Sequence, residues 1–147
     1  MPTALRESVL AAAAARLAAI ITDVPVERAR RSPPPIEQFP RLLVHGGGAM
    51  PDQSQSPNET FWTFGFTVTG YVSASSDLAA EQALSALHAR VMVALESADL
   101  GPGAVQPTAG GAEMALYAAE DSAKPAGQFT VAFEALAIAP TASPYAP

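Results

Sequence analysis

The sequence predicts an α+β domain with a mainly antiparallel sheet of four to five strands and two helices packed on one face of the sheet. Apolar residues recur at helical spacing in two segments, and elsewhere they alternate with polar residues at a period of two. A short, turn-rich connection between the last two strands favours a hairpin, and hairpins make antiparallel sheets.

Composition limits the class of protein. The 147 residues are 49% hydrophobic, enough for one core, and we expect a single domain over 1–139 followed by a proline-rich tail over 140–147. The chain has no cysteine, which excludes disulfides and thiolate sites. Its formal charge of −6 argues against general binding to nucleic-acid phosphates. The alanine-rich run Val9 to Ile21 is too short and weakly apolar for a membrane span, so a cytosolic protein is expected.

The first helix is predicted from a Thr3 cap to about Thr22, where Asp23-Val24-Pro25 ends it because proline disfavours helix at the preceding residue. Its apolar side consists of residues spaced by three, four and seven: Leu5, Val9, Leu10, Leu17, Ile20 and Ile21. A short strand is expected at 26–30 and a stiff proline segment at 32–35.

A second strand is predicted at 41–45. Gly46-Gly47-Gly48 is expected to break it, and the polar residues that follow predict an exposed loop as far as Asn58.

The long strand over 60–74 is the strongest single signal. Apolar and hydroxyl side chains alternate along it: Trp62, Phe64, Phe66, Val68 and Val72 on one face, and Thr63, Thr67, Thr69 and Ser73 on the other. The first face is predicted to join the core. The threonine face is expected to meet water or another protein.

The second helix is predicted from the capping residues Ser75-Ser76-Asp77 to about Ala98, with Leu84, Leu87, Val91 and Leu95 on its apolar stripe. Gly101-Pro102-Gly103 then predicts a turn. Two closing strands are expected at 113–119 and 128–138, joined by a hairpin-like connection over 120–127.

No residue set indicates catalysis, a cofactor or a metal. The two histidines, His45 and His88, lack the further ligands or partners that a metal or proton-transfer site needs. His45 is interpreted as a strand-end residue and His88 as a helix boundary residue. The glycine run is not followed by the Lys and Ser or Thr of a phosphate loop. We therefore expect a protein that is not an enzyme.

Two groups are candidate interface residues. Arg28, Arg30 and Arg31 are either a solvated strand edge or a contact for acidic surfaces, including DNA phosphate inside a channel. The threonines Thr63, Thr67 and Thr69 are either ordinary solvent-facing residues or part of a subunit interface.

The succession of elements is similar to a known family. An Ala-Leu-Arg-Glu-Ser-Val-Leu helix is followed by an Arg-Leu-Leu-Val strand and by Phe-Gly-Phe-Thr-Val-Thr-Gly-Tyr-Val, which leads into Ser-Asp-Leu-Ala-Ala-Glu-Gln-Ala-Leu; a Phe-Thr-Val-Ala-Phe-Glu strand closes the domain. This pattern resembles the tail terminator family of long-tailed, siphovirus-like bacteriophages and gene transfer agents.

The resemblance implies a structural virion protein that forms a homo-hexameric ring. The ring caps the tail tube, ends its polymerisation and offers a joining surface to the head. Its partners are then other copies of the chain, the tail tube protein and a head-side connector or stopper protein. DNA passes transiently through the channel, and no membrane is involved. The implied location is the head-proximal end of the tail, reached from the host cytoplasm.

Two other classes stay open. Another neck, head-completion or minor tail protein would share a small α+β fold. A small-molecule-binding domain would use Trp62 and Phe64 as a pocket wall, although convergent polar groups are missing.

Overall fold

The computed structural model describes residues 4–52, 58–96, 98–100, 107–118 and 124–140. Its elements are, in chain order, α1 (Leu5–Ile20), β1 (Val26–Arg28), a 3-10 turn (Ile36–Gln38), β2 (Arg41–Asp52), β3 (Glu59–Ser73), α2 (Asp77–Leu95), β4 (Thr108–Ala118) and β5 (Pro125–Pro140). The strands form one sheet in the order β1-β2-β3-β5-β4. Only β1 and β2 are parallel within this described sheet, and the other neighbours are antiparallel. The predicted fold class is confirmed.

Both helices lie on one face of the sheet, and the core fills the space between the helices and the sheet. The side chains of β3 that alternate toward this face include Phe64, Phe66 and Val68, all nearly inaccessible to water. The neighbouring strand β5 contributes Phe133, whose ring stacks on Phe66 with centroids 5.3 Å apart. Burying each such phenyl ring stabilises the fold by roughly 1.5–3 kcal/mol. Each helix contributes a stripe of buried apolar side chains to the core: Leu5, Val9, Leu10, Ala13 and Leu17 from α1, and Ala80, Leu84, Leu87, Val91, Ala94 and Leu95 from α2.

The helix ends differ slightly from the prediction. The hydroxyl of Ser76 accepts a hydrogen bond from the Ala79 amide at 3.1 Å, which confirms the predicted cap of α2. The N-cap of α1 is Ala4, which makes no side-chain cap, and the predicted cap residue Thr3 lies outside the described residues. The two helices end two and three residues before the predicted Thr22 and Ala98.

The prediction that Gly46-Gly47-Gly48 breaks β2 is wrong. The strand continues to Asp52 and pairs with β3 as far as Phe61, with a register shift between Gly46 and Ala49 that marks a β-bulge. Glycine suits this bulge because the backbones approach closely: a Cβ on Gly47 would lie 2.9 Å from the carbonyl oxygen of Gly65. The predicted loop therefore shrinks, and residues 53–57 lie outside the described part.

An arginine of α1 holds the bulge. The Arg6 guanidinium donates hydrogen bonds to the Gly47 carbonyl at 3.0 and 3.3 Å. This contact ties the start of the first helix to the middle of β2, across 41 positions of sequence.

The last two strands are longer than predicted. β4 begins at Thr108, because a second bulge, between Ala109 and Ala112, lets the strand pass Gly110-Gly111 and still pair with β5. β5 begins at Pro125, inside the predicted connection, and ends at Pro140. Residues 120–123 of that connection, the turn at 101–103 and the tail over 141–147 lie outside the described residues.

Candidate assembly surfaces

The sheet face opposite the helices, here called the open face, carries the predicted threonine row. Thr63 and Thr67 are half-buried there, but Thr69 is only 7% exposed. The Thr69 hydroxyl oxygen lies 3.2 Å from that of Thr130 on β5, and either hydroxyl can donate the hydrogen bond between them. The prediction that all three threonines present an exposed face is therefore wrong for Thr69.

Thr69 is buried because the segment between β1 and β2 covers one end of the open face, which the sequence pattern did not predict. The segment between β1 and β2 folds back, so that the Phe39 ring packs against Tyr71 with centroids 5.3 Å apart. Leu43, next to Thr69 in the register, is 1% exposed. Burial raises the pKa of the Tyr71 phenol, which agrees with its place under this cover.

His45 helps to fix the cover. Its Nε2 donates a hydrogen bond of 2.6 Å to the Arg30 carbonyl, because a carbonyl oxygen can only accept. The interpretation of His45 as a strand-end residue is wrong, since β2 continues past it. His88 lies on α2 with its ring edge-on to Phe129, at 5.4 Å between centroids, so it packs at the edge of the core.

The other end of the open face is apolar and less covered. The register places Met50, Thr63 and Leu136 side by side on β2, β3 and β5. Met50 is 72% exposed and Leu136 38% exposed, and the half-buried Phe61 and Ile138 adjoin them. We call Met50, Phe61, Leu136 and Ile138 the distal patch. Exposed apolar residues that adjoin in this way are typical of contact surfaces.

The arginine group serves mainly to join elements of the chain. Arg28 forms a two-pronged ion pair with Glu7 of α1, in which Nη2 lies 3.0 Å from Oε2. This hydrogen bond lowers the pKa of the Glu7 carboxyl. Arg31 is exposed, and within the described part of the chain it has no ion pair.

A second carboxylate, that of Glu27, is shared by two more arginines. Glu27 accepts from Arg30 at 2.9 Å and from Arg41 at 2.7 Å. Its pKa is lowered, first by the hydrogen bond from Arg30. Glu27, next to Arg28 in the sequence, was the local signal that sequence reasoning missed. Glu7 lies 21 positions from Arg28 and becomes its partner only in the fold. Of the three predicted arginines, Arg31 is therefore the one that stands outside any ion pair in the described structure.

One depression of about 340 Å³ on the described surface is lined by Asp77, Tyr117 and Lys124 together with apolar residues. The depression beside the end of α2 and the start of β4, about 640 Å³, is lined chiefly by Met92, Pro107, Thr108 and Phe133, with Glu96 as its one ionisable residue among the described lining. Across the described ranges no three histidine or acidic side chains gather as a metal site would require. Neither helix described here is long and apolar enough to cross a membrane.

Comparison with known proteins adds a structural likeness. Neither a scan against protein-family models nor a search of curated proteins finds a match. Among solved structures, the chain is similar to a chain from the virion of a native gene transfer agent (GTA) particle, with a TM-score of 0.51 and 20% sequence identity. The likeness covers 92% of this chain and 96% of that one. The two chains share a fold.

Proposed function

We propose that the chain is a structural protein of a phage-like virion or gene transfer particle, and that it acts there as a tail terminator. The observation that carries the proposal is the likeness of fold, over nearly the full length of both chains, to a chain from a gene transfer agent virion. The resemblance in sequence pattern to the tail terminator family points to the same kind of particle.

The surface of the domain is consistent with this role. Three surface features are suited to docking: the open face with the half-buried Thr63 and Thr67, the distal patch beside it, and Arg31, which is exposed and in no ion pair of the described structure. A ring requires two different surfaces on each subunit that meet head to tail around a closed circle. The proposed role needs these surfaces and no bond-making chemistry.

In this role, six copies form a ring on the finished tail tube at its head-proximal end. The ring blocks addition of the next tube subunit and offers its other side to the head-side connector. DNA passes through the channel without being held, which suits a chain with a formal charge of −6.

A second candidate function is another neck or minor tail protein. The same comparison favours it, because likeness to a chain of a gene transfer agent virion does not distinguish one component of such a particle from another. Such a protein would share the fold while occupying a different joint.

Deletion of the gene in particle-producing cells separates the two candidates. If the chain is a tail terminator, the deletion should give tubes of widely scattered length and heads without tails. Supplying the wild-type chain should correct both defects. Tubes of uniform length that fail to join heads would favour the neck protein instead. Normal tailed particles from the deletion strain would overturn both.

A further inference from the structure

The strand β4 forms one edge of the sheet and has no second neighbour among the described residues. From Gly110 to Ala118 every residue is exposed, including Met114 at 46%, Leu116 at 41% and Tyr117 at 36%. Along this strand of eleven residues, every second residue turns its backbone N–H and C=O away from β5, beside exposed apolar side chains. Such an edge is a template for pairing with a further strand.

The opposite edge of the sheet is protected in ways that β4 is not. There β1 has only three residues, of which Glu27 and Arg28 are charged. The part of β2 that β1 leaves uncovered carries Pro51, which has no N–H to donate. Both edge strands contain a glycine bulge, but that of β4 lies before Ala112 and leaves the register from Ala112 to Ala118 regular. By contrast, β4 has no lysine and no proline, and Glu113 is its single charged residue. A strand partner is therefore expected at β4 and not at the β1–β2 edge.

The sequence of β4 fits a second copy of itself. In an antiparallel pair centred on Ala115, Met114 lies opposite Leu116 of the second copy, on the helix side of the sheet. Glu113 lies opposite Tyr117 of the second copy, on the open face, where the phenol can donate to the carboxylate. The two Glu113 side chains never face each other, and each cross-strand pair of this kind stabilises a sheet by roughly 0.2–1 kcal/mol.

We propose that two copies of the free protein pair through their β4 strands, antiparallel and centred on Ala115, so that two five-stranded sheets become one continuous sheet. The contact is two-fold, with the same surface used on both sides. A two-fold contact does not build a ring, so this pairing is independent of the proposed function and describes the protein before it joins an assembly. It covers the strand edge that would otherwise promote aggregation.

The absence of cysteine from the chain allows a direct test. In the proposed pair the two Ala115 residues face each other at a Cα separation of about 4.5–5.5 Å, within the range that a disulfide spans. Ala115→Cys should therefore convert to covalent dimer under mild oxidation at micromolar concentration, well beyond the yield from Ser85→Cys on the exposed side of α2. Glu113→Cys mixed with Tyr117→Cys should give a heterodimer.

Sedimentation of the unmodified protein provides the second measurement. The expected mass is twice the 15.1 kDa of the chain. Met114→Lys places a charge on the pairing edge and should shift the protein to monomer, whereas Val93→Lys removes an apolar side chain that is more exposed, at 69%, and should leave the dimer intact. Circular dichroism of both variants checks that they fold.

Two results would overturn the pairing. The first is a monomer at all concentrations with no crosslink at Ala115→Cys. The second is an oligomer in which Ala115→Cys stays reduced and Met114→Lys leaves the mass unchanged, which would show that copies associate elsewhere. Neither result bears on tail length in the deletion strain, so the failure of this proposal is distinct from failure of the proposed function.

Discussion

Gly70 on β3 is the position where one added methyl group should be most costly. Gly70 pairs directly with Phe129 of β5, and the phenyl ring lies over the glycine. A Cβ on Gly70 would lie 2.2 Å from Cε1, 2.5 Å from Cζ and 3.0 Å from Cδ1 of that ring. Ordinary carbon contacts begin near 3.5 Å, so the ring must move by more than 1 Å.

The ring has little room to move. Phe129 is fully buried, and His88 packs edge-on against it. Overpacking of this kind costs about 1–3 kcal/mol, and the lower chain entropy of alanine in the unfolded state returns about 0.4–1 kcal/mol. We expect Gly70→Ala to lower the free energy of unfolding by about 1–2 kcal/mol.

Guanidinium denaturation followed by circular dichroism measures this change. Gly48→Ala is the matched control, because nothing lies within 4 Å of a Cβ built there, and its effect should stay within about 0.5 kcal/mol. Adding Phe129→Leu to Gly70→Ala should cost less than the sum of the two single changes, since the smaller side chain relieves the clash. Strict additivity, or a neutral Gly70→Ala, would refute the argument that the ring occupies this space.

Three further predictions concern other contacts. Gly47→Ala should destabilise the fold by about 1–3 kcal/mol, because its Cβ would meet the Gly65 backbone, which cannot rotate away as a side chain can. Stability should fall as the pH drops below about 4.5, because hydrogen bonding from Arg28 holds the pKa of Glu7 below its ordinary value; the stabilisation is complete above the unfolded pKa and is lost as pH falls through the folded one. Arg31→Glu should leave stability within about 0.5 kcal/mol of wild type and reduce capping of tail tubes.

Each of these predictions has its own check. Denaturation of Gly47→Ala beside Gly48→Ala isolates the close backbone approach, and equal stability of the two would contradict it. Glu7→Gln should reduce the loss of unfolding free energy as the pH falls. If the loss is unchanged in this variant, other carboxylates cause it. If Arg31→Glu caps tail tubes as fully as the wild type, Arg31 is not part of the assembly surface. Arg28→Glu is a poor probe of that surface, because it breaks the pair with Glu7 and perturbs the fold.

The sequence predicted the parts of the fold that follow from periodicity. The alternation along β3 and the spacing of apolar residues in α2 predicted correctly which faces are buried, because a period of two matches a strand and a period of 3.6 matches a helix. The cap at Ser76 followed from local chemistry.

What the pattern missed depends on contacts between distant parts of the chain. The run Gly46-Gly47-Gly48 has no residues that favour a strand. It stays in β2 because β3 is long enough to pair with it and because Arg6 donates to the Gly47 carbonyl. Burial of Thr69 depends on a cover that includes Phe39, whose position no local period encodes.

The candidate site was predictable only in outline. The arginines and threonines were identified by residue type, but their partners decide which of them are available. Arg28 and Arg30 are taken by carboxylates of the same chain, whereas Arg31 is exposed and outside any ion pair in the described structure. The distal patch went unpredicted, because Met50 and Leu136 become neighbours only through the register of three strands.

The proposed function is tested most directly at the end of a growing tail tube. The purified chain is added to polymerising tail tube protein from the same genome, and the tube ends are imaged by electron cryomicroscopy while tube length is followed. The account predicts a ring of six copies on one end of each tube and an arrest of growth at that end. Tubes that lengthen at the same rate with bare ends, in the presence of excess folded protein, would contradict it.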